Sequence, residues 1–194
     1  MTKRMRLGIF GGSFDPIHLG HLLAASEAYE LLSLSRVLFV TAARPPHKMP
    51  EADAEARHQM VVLATQDDER FEASRLELDR EGPSYTVDTL RQAGKLYPEH
   101  ELFFITGADA YADLDSWYQA EELSRLATLV GASRPGYDIS RMHPFFRERT
   151  VLLKIPACEV SSTQVRERIK AGRTVRYLVV PKVEEYLAKH ALYR

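Results

Sequence analysis

Cysteine, tryptophan, long apolar runs and any excess of one charge are nearly absent from this chain. Among its 194 residues there is one cysteine, Cys158, and one tryptophan, Trp117. A lone cysteine excludes an internal disulfide and fits a reducing compartment; its plainest reading is a small apolar filler rather than a nucleophile. No stretch approaches the ~20 apolar residues that a membrane span needs. The basic start at Lys3, Arg4 and Arg6 is followed only by Leu7 to Phe10 before glycines intervene, too short for the apolar region of a secretory signal. The 26 Lys and Arg nearly balance the 27 Asp and Glu, leaving a formal charge of -1. That excludes whole-surface attraction to nucleic acid or to a membrane, so any anion site must be local. The expectation is a cytoplasmic protein.

What is present is an alternation of short apolar runs and amphipathic stretches. Leu7-Gly8-Ile9-Phe10 reads as a buried strand stopped by Gly11-Gly12. From Gly20 to Leu32, Leu22, Ala25, Tyr29 and Leu32 recur at helical spacing. Val37 to Val40 is a second strand, followed by a proline-marked polar loop from Thr41 to Pro50. A helix through Arg57 to Ala64, a strand region from Phe71 to Leu78 and a helix from Ser84 to Leu96 follow. Leu102 to Ile105 is another strand, closed by Thr106-Gly107. Ala127 to Val130 and Val151 to Ile155 are further strands, separated by a loop from Ser133 to Pro144. Ser161-x-x-Gln164 is a capping-box pattern and predicts a helix start near Ser162. Val183, Leu187 and Ala191 predict a last amphipathic helix over 181–191. There is no internal repeat, low-complexity tract or linker. Apolar strands alternating with helices predict a single doubly wound α/β domain over residues 1–194, with a central parallel sheet and C-terminal helices. In such folds ligands bind at the carboxyl ends of the strands, where Gly11-Gly12, Thr41 and Gly107 fall.

The chemistry concentrates in Gly11-Gly12-Ser13-Phe14-Asp15-Pro16-Ile17-His18-Leu19-Gly20-His21. Glycines after a strand let the backbone approach a ligand, and a helix N-terminus favours anions. No Gly-Lys-Ser/Thr follows, so this is not a Walker loop, and the dinucleotide glycine fingerprint is absent as well. His18 and His21 lie three residues apart at a helix start, spaced so that both can donate to one phosphate. A capping role, or a metal pair lacking a third ligand, are the other readings. The second cluster is Val160-Ser161-Ser162-Thr163-Gln164-Val165-Arg166. Hydroxyls and amides at a helix start, with Arg166 one turn on, suit the far phosphates of a triphosphate; a plain cap with a solvated arginine is the alternative.

His18-Leu19-Gly20-His21 resembles the His-x-Gly-His signature of the nucleotidyltransferase α/β-phosphodiesterase superfamily. Val160 to Arg166 resembles its late Ile-Ser-Ser-Thr-x-(Ile/Val)-Arg signature, departing only at Val160. Further segments are similar to the bacterial nicotinate-nucleotide adenylyltransferase family: Pro45-Pro46-His47-Lys48, Pro83-Ser84-Tyr85-Thr86, Gly107-Ala108-Asp109 with Trp117, Ser133-Arg134-Pro135-Gly136-Tyr137 and Leu192-Tyr193. The resemblance covers essentially the whole chain and implies a Rossmann-like fold.

It also implies a reaction, in which nicotinate mononucleotide and ATP give nicotinate adenine dinucleotide and pyrophosphate. His18, His21, Lys48 and Arg166 are the expected catalytic residues. ATP is expected on Gly11, Gly12, Ser13, Phe14, His18, His21, Gly107, Asp109, Ser162, Thr163 and Arg166, with Asp109 on the adenosine side. The mononucleotide is expected on Lys48, Thr86, Trp117 and Arg134, its ring stacked on Trp117 and its carboxylate at amides near Thr86 and Trp117. Mg²⁺ is expected through the ATP phosphates rather than a protein cage. Outside the resemblance, Lys48, His47 and Arg134 read as solvated loop residues, Asp109 and Thr86 as helix-start residues and Trp117 as a core side chain. The other functions weighed are phosphopantetheine or nicotinamide mononucleotide adenylylation, and a non-catalytic nucleotide sensor. Phosphopantetheine enzymes lack the Pro-Pro-His-Lys and Pro-Ser-Tyr-Thr segments. An RNA-charging role has neither an anticodon domain nor a basic bias to support it.

Overall fold

The computed structural model describes residues 4–47, 49–133, 140, 142–156 and 158–194, with the side chains of 108, 109, 111 and 112 left out. Its frame is a parallel sheet of six strands in the order β3-β2-β1-β4-β5-β6. The strands are β1 (Met5–Gly12), β2 (Arg36–Thr41), β3 (Phe71–Ser74), β4 (His100–Gly107), β5 (Thr128–Ser133) and β6 (Thr150–Lys154). The helices are α1 (Leu19–Leu31), α2 (Ala54–Thr65), α3 (Thr86–Leu96), α4 (Ala120–Leu126), α5 (Pro144–Arg147), α6 (Ser162–Lys170) and α7 (Pro181–Lys189), with a 3₁₀ segment over Ala108–Ser116. The α/β fold with its central parallel sheet is therefore as the apolar pattern predicts.

The central strands bury both faces, which is why they read as continuous apolar runs rather than as alternation. Successive side chains of one strand feed two cores. Phe10, Val37, Phe39, Phe103 and Ile105 face α1, α2 and α7, through Ala25, Ala28, Met60, Val61, Val183 and Leu187. Leu7, Ile9, Leu38, Val40, Leu102 and Phe104 face α3, α4 and α5, through Val87, Leu90, Leu123 and Phe146.

Two expectations shift. The strand region over 71–78 ends at Ser74, its last pairing being Val40 with Ser74. The chain then turns, with the Asp79 N–H donating to the Arg75 carbonyl, and Leu76 goes into the α3-side core. The helix expected from Ser84 begins at Thr86, after Tyr85 in extended geometry. The 3₁₀ segment and α4 follow β4 without an apolar period that announces them. Ser161 caps α6 as its capping-box pattern predicts, accepting from the Gln164 N–H at 3.2 Å, an interaction of about 1 kcal/mol. Among the described residues no helix is long and apolar enough to cross a membrane.

Chain order reverses between β1 and β4. β1 continues outward to β2 and β3, whereas β4 continues to β5 and β6. Their carboxyl ends, at Gly11-Gly12 and Thr106-Gly107, flank a crevice of the kind that ligands occupy in doubly wound folds.

Candidate active site

Two structures meet at that crevice: a tightly bonded loop and helix-start assembly, and an open cavity beside it.

The assembly joins the two clusters singled out in the sequence. Gly20 lies under the ring of His18 and beside the Val160 carbonyl. A Cβ built there would stand 3.1 Å from His18 Cε1 and 3.3 Å from that oxygen, so glycine is needed for close approach. Ser162 Oγ donates to the Pro16 carbonyl at 2.9 Å, and Arg166 Nη1 donates to the Asp15 carbonyl at 2.8 Å. Residues 146 and 151 positions apart thus hold one another. His18 and His21 stack with ring centroids 3.7 Å apart, and His21 packs edge-on against Phe10 and Phe14. The His18 backbone N–H donates to His21 Nδ1 at 3.2 Å. An accepting Nδ1 carries no proton, which places the ring's N–H on Nε2.

Phe14 holds a left-handed backbone at φ 48°, a conformation that a side chain adopts at a cost of about 1–2 kcal/mol. Its ring compensates by burying against Phe10, Phe39 and His21. The ring also packs against Gly12 of the loop, where a Cβ would stand 3.0 Å from it. α1 also spends amides internally: Leu19 N–H donates to the Leu178 carbonyl and His21 N–H to the His18 carbonyl, both at 2.9 Å.

Arg57 is the residue that sequence reading missed. A helix arginine ordinarily reads as solvated, but this one is 1% exposed. Its guanidinium donates to the carbonyls of Ser13 (2.6 Å), Ala42 (2.7 Å) and Ala52 (3.0 Å). It ties the loop after β1 to the loop after β2 from beneath. Burial pulls its pKa down from the usual arginine range while Asp15 and Tyr193 oppose that pull. Losing it leaves each carbonyl unpaired at roughly 1–3 kcal/mol.

The cavity is about 670 Å³ and is lined on one side by Gly11, Gly12 and Ser13, and on the other by Tyr85, Thr86, Trp117 and Tyr118. Its roof comes from Pro45, Pro46 and His47. That loop is held to the α3 start by a two-way clasp: Arg44 N–H donates to Ser84 Oγ at 3.0 Å, and Ser84 N–H donates to the Arg44 carbonyl at 2.9 Å. Trp117 stands edge-on to Phe104, and Tyr118 packs on Tyr85 with centroids 4.5 Å apart. Arg91 of α3 donates to Gln119 and Glu122 and so braces this aromatic wall. Glu77, which also lines the cavity, accepts from the Thr89 hydroxyl.

The structure therefore brings Gly11, Gly12, Ser13, Thr86 and Trp117 to one cavity, and His18, His21, Ser162, Thr163 and Arg166 to the assembly beside it. Gly107 closes β4 but does not line the cavity. Lys48 and Arg134 lie outside the described residues, as does the side chain of Asp109. Arg166 is more committed than expected: Nε bonds Glu51 at 2.7 Å, Nη1 bonds the Asp15 carbonyl, and Nη2 sits 3.5 Å from Thr163 Oγ1. Lys170 and Arg166 together hold the Glu51 carboxyl below its usual pKa. Among the described residues no group of three His, Cys, Asp or Glu gathers to hold a metal.

Comparison with known proteins adds what geometry leaves open. The model of the cytidylyltransferase-like family matches residues 9–168. A probable nicotinate-nucleotide adenylyltransferase of Thermus thermophilus is 60% identical over 190 residues, covering 98% of this chain and all of the relative. One of Saccharopolyspora erythraea is 46% identical over 196 residues, covering all of this chain and 92% of the relative. The solved nicotinic acid mononucleotide adenylyltransferase of Plasmodium falciparum, complexed with NaAD, superposes with a TM-score of 0.80 over 97% of each chain. At 22% identity that likeness speaks for the fold alone.

Proposed function

The chain belongs to the cytidylyltransferase-like family and, within it, to the nicotinate-nucleotide adenylyltransferases, and from that premise we propose how its residues carry out the family's reaction. It is a nucleotidyltransferase of NAD biosynthesis, joining nicotinate mononucleotide and ATP into nicotinate adenine dinucleotide and pyrophosphate. A single domain for both substrates is part of this reading, supported by the one sheet that the described strands form.

The observation that supports the mechanism is the junction itself: two stacked histidines at a helix start, locked to a second helix start, beside an aromatic cavity at the sheet's switch point. ATP lays its triphosphate over Gly11 to Ser13 and along His18, His21 and the α6 start. The mononucleotide fills the cavity, its pyridine ring on Trp117 and its carboxylate at the amides that open α3 near Thr86. A phosphate oxygen of the mononucleotide attacks the α-phosphorus of ATP in line. The new P–O bond forms as the bond to the β-phosphate bridging oxygen breaks, and pyrophosphate leaves with that electron pair. The nucleophile is already anionic, so the protein need not remove a proton. Positioning and charge stabilisation carry the rate. His18 and His21 donate to the α- and β-phosphates. Ser162 Oγ is committed to Pro16, which leaves the main chain of Ser162 and Thr163 for phosphate oxygens. Arg166 Nη2, held among the described residues only by the long contact to Thr163, keeps a donor for the pyrophosphate end. Lys48 shares that role, Asp109 takes the adenosine ribose and Arg134 the mononucleotide.

Mg²⁺ fits as a cation carried on triphosphate oxygens and water. The two acidic side chains beside the motif are occupied, Asp15 by amides and a hydroxyl and Glu51 by Arg166 and Lys170. When bound, such a cation neutralises charge on the phosphates.

The test is pyrophosphate release from ATP with three acceptors. Nicotinate mononucleotide should give the highest kcat/KM. A preference for nicotinamide mononucleotide or phosphopantetheine would overturn the acceptor assignment, and no release with any acceptor would favour a nucleotide sensor.

A further inference from the structure

Asp15 stands three residues before His18 and is 1% exposed. Its carboxylate gathers donors from distant parts of the chain. Oδ2 accepts from the Glu51 N–H at 2.9 Å, and Oδ1 accepts from the Ala52 N–H at 3.1 Å and from the Tyr193 hydroxyl at 2.6 Å. Arg166 Nη1 lies 3.8 Å from Oδ2 while bonding the Asp15 carbonyl. Four segments therefore converge here: the loop after β1, the stretch before α2, α6, and Tyr193, which is 178 positions from Asp15. Tyr193 is 8% exposed, and its ring belongs to the same core as Val183 and Leu187. Burial and its bond to Asp15 raise the phenol's pKa, so the hydroxyl remains a donor.

From this convergence we infer that Asp15 is the hub that sets His18 against the α6 start, and that Tyr193 is the positioning residue that fixes Asp15. The inference rests on the adenylyltransferase reading above. Buried carboxylates hold one geometry when their donors are complete, and lose it when one is removed. Removing the Tyr193 hydroxyl leaves Oδ1 with the Ala52 N–H alone, which lets the carboxylate shift and with it the turn that carries His18. The consequence is one-sided. Thr86, Trp117 and the rest of the aromatic wall make no hydrogen bond to Asp15 or Tyr193, so the mononucleotide should bind as before.

The experiment compares Tyr193→Phe with wild type and with Leu187→Ala, which damages the same core without touching Asp15. Steady-state turnover is measured while each substrate is varied in turn, alongside thermal melting. Tyr193→Phe should lower kcat/KM for ATP about tenfold, the loss expected for one hydrogen bond to a charged group, and leave KM for nicotinate mononucleotide within about twofold. Leu187→Ala should lower Tm without that asymmetry. Unchanged kinetics in Tyr193→Phe, or a KM for nicotinate mononucleotide raised well beyond twofold, overturns the inference. Amide exchange reads the hub without turnover. The Glu51 and Ala52 amides should exchange as slowly as those of β1 in wild type, and faster in Tyr193→Phe; equal rates in the two proteins overturn the inference. A wild-type enzyme that releases no pyrophosphate counts against the functional reading, and exchange then decides the hub. If Tyr193→Phe does not fold, wild-type exchange decides alone: protected Glu51 and Ala52 amides support the hub, and exchange at the rate of exposed loops overturns it.

Discussion

The two ends of this crevice, the proposed phosphate end and the proposed acceptor end, are built in opposite ways. The phosphate end is closed and held by the main chain. Asp15 and Arg57 are almost wholly buried, and the hydrogen bonds from Ser162 and Arg166 to the first signature cluster end on main-chain carbonyls, with the Arg166–Asp15 ion pair beside them. The acceptor end is an open cavity walled by side chains, with Tyr118 49% exposed at its rim. The difference follows from what each must do. Developing charge on a phosphate is stabilised only by donors fixed before reaction, so that end tolerates little movement. A flat aromatic acceptor must enter and leave, and its choice is made by shape and stacking.

This contrast predicts how variants divide. The largest effect is expected at the phosphate end: His18→Ala should lower kcat about 100-fold or more while changing KM for the mononucleotide little. Unchanged turnover in a folded His18→Ala protein would remove the histidine pair from the mechanism. Next comes the acceptor end, where Trp117→Ala should raise KM for the mononucleotide about tenfold through lost ring stacking, with the ATP dependence nearly intact. If KM for ATP rises instead, the two ends are assigned the wrong way round. A smaller effect is expected for Gly20→Ala, whose new methyl would press on His18 and the Val160 carbonyl. Turnover should fall about three- to tenfold through displacement of the ring, and ¹H NMR of the histidine resonances would report that shift.

The smallest prediction concerns stability outside both ends. His58 is buried on α2, and burial first, then nearby Arg75, lowers its pKa from 6.5. The unfolded chain then binds more protons than the folded one as pH falls below 6.5, so stability should decline with falling pH in that range. His58→Gln should flatten the decline above pH 4.5, where the lowered carboxyls of Glu51 and Glu55 have not yet titrated. A denaturant midpoint followed against pH measures it, and an equal slope in both proteins would discount the histidine.

Much of the site was legible in the sequence. Gly11 to His21 follows an apolar strand and opens a helix, and both features are local. The α6 start was readable because Ser161 and Gln164 cap it within one turn. The segments around Pro45 and Ser84 were visible as loops, but not the clasp between Arg44 and Ser84 that makes them one wall. Arg57 was illegible because an arginine in a helix has no local mark of burial; its partners are three carbonyls on two loops. Asp15 lay inside the recognised segment without a role, because its donors come from residues 51, 52 and 193.

By itself, then, the sequence determined the alternation of buried strands and helices, the two helix starts and the residue types gathered at them, since these depend on periodicity and on neighbours within a turn. Tertiary structure alone decided which starts face each other, that Ser162 and Arg166 hold the first motif together, and that an aromatic cavity opens beside it. Those outcomes depend on the order in which strands pair, and the reversal between β1 and β4 brings together groups that no local pattern connects.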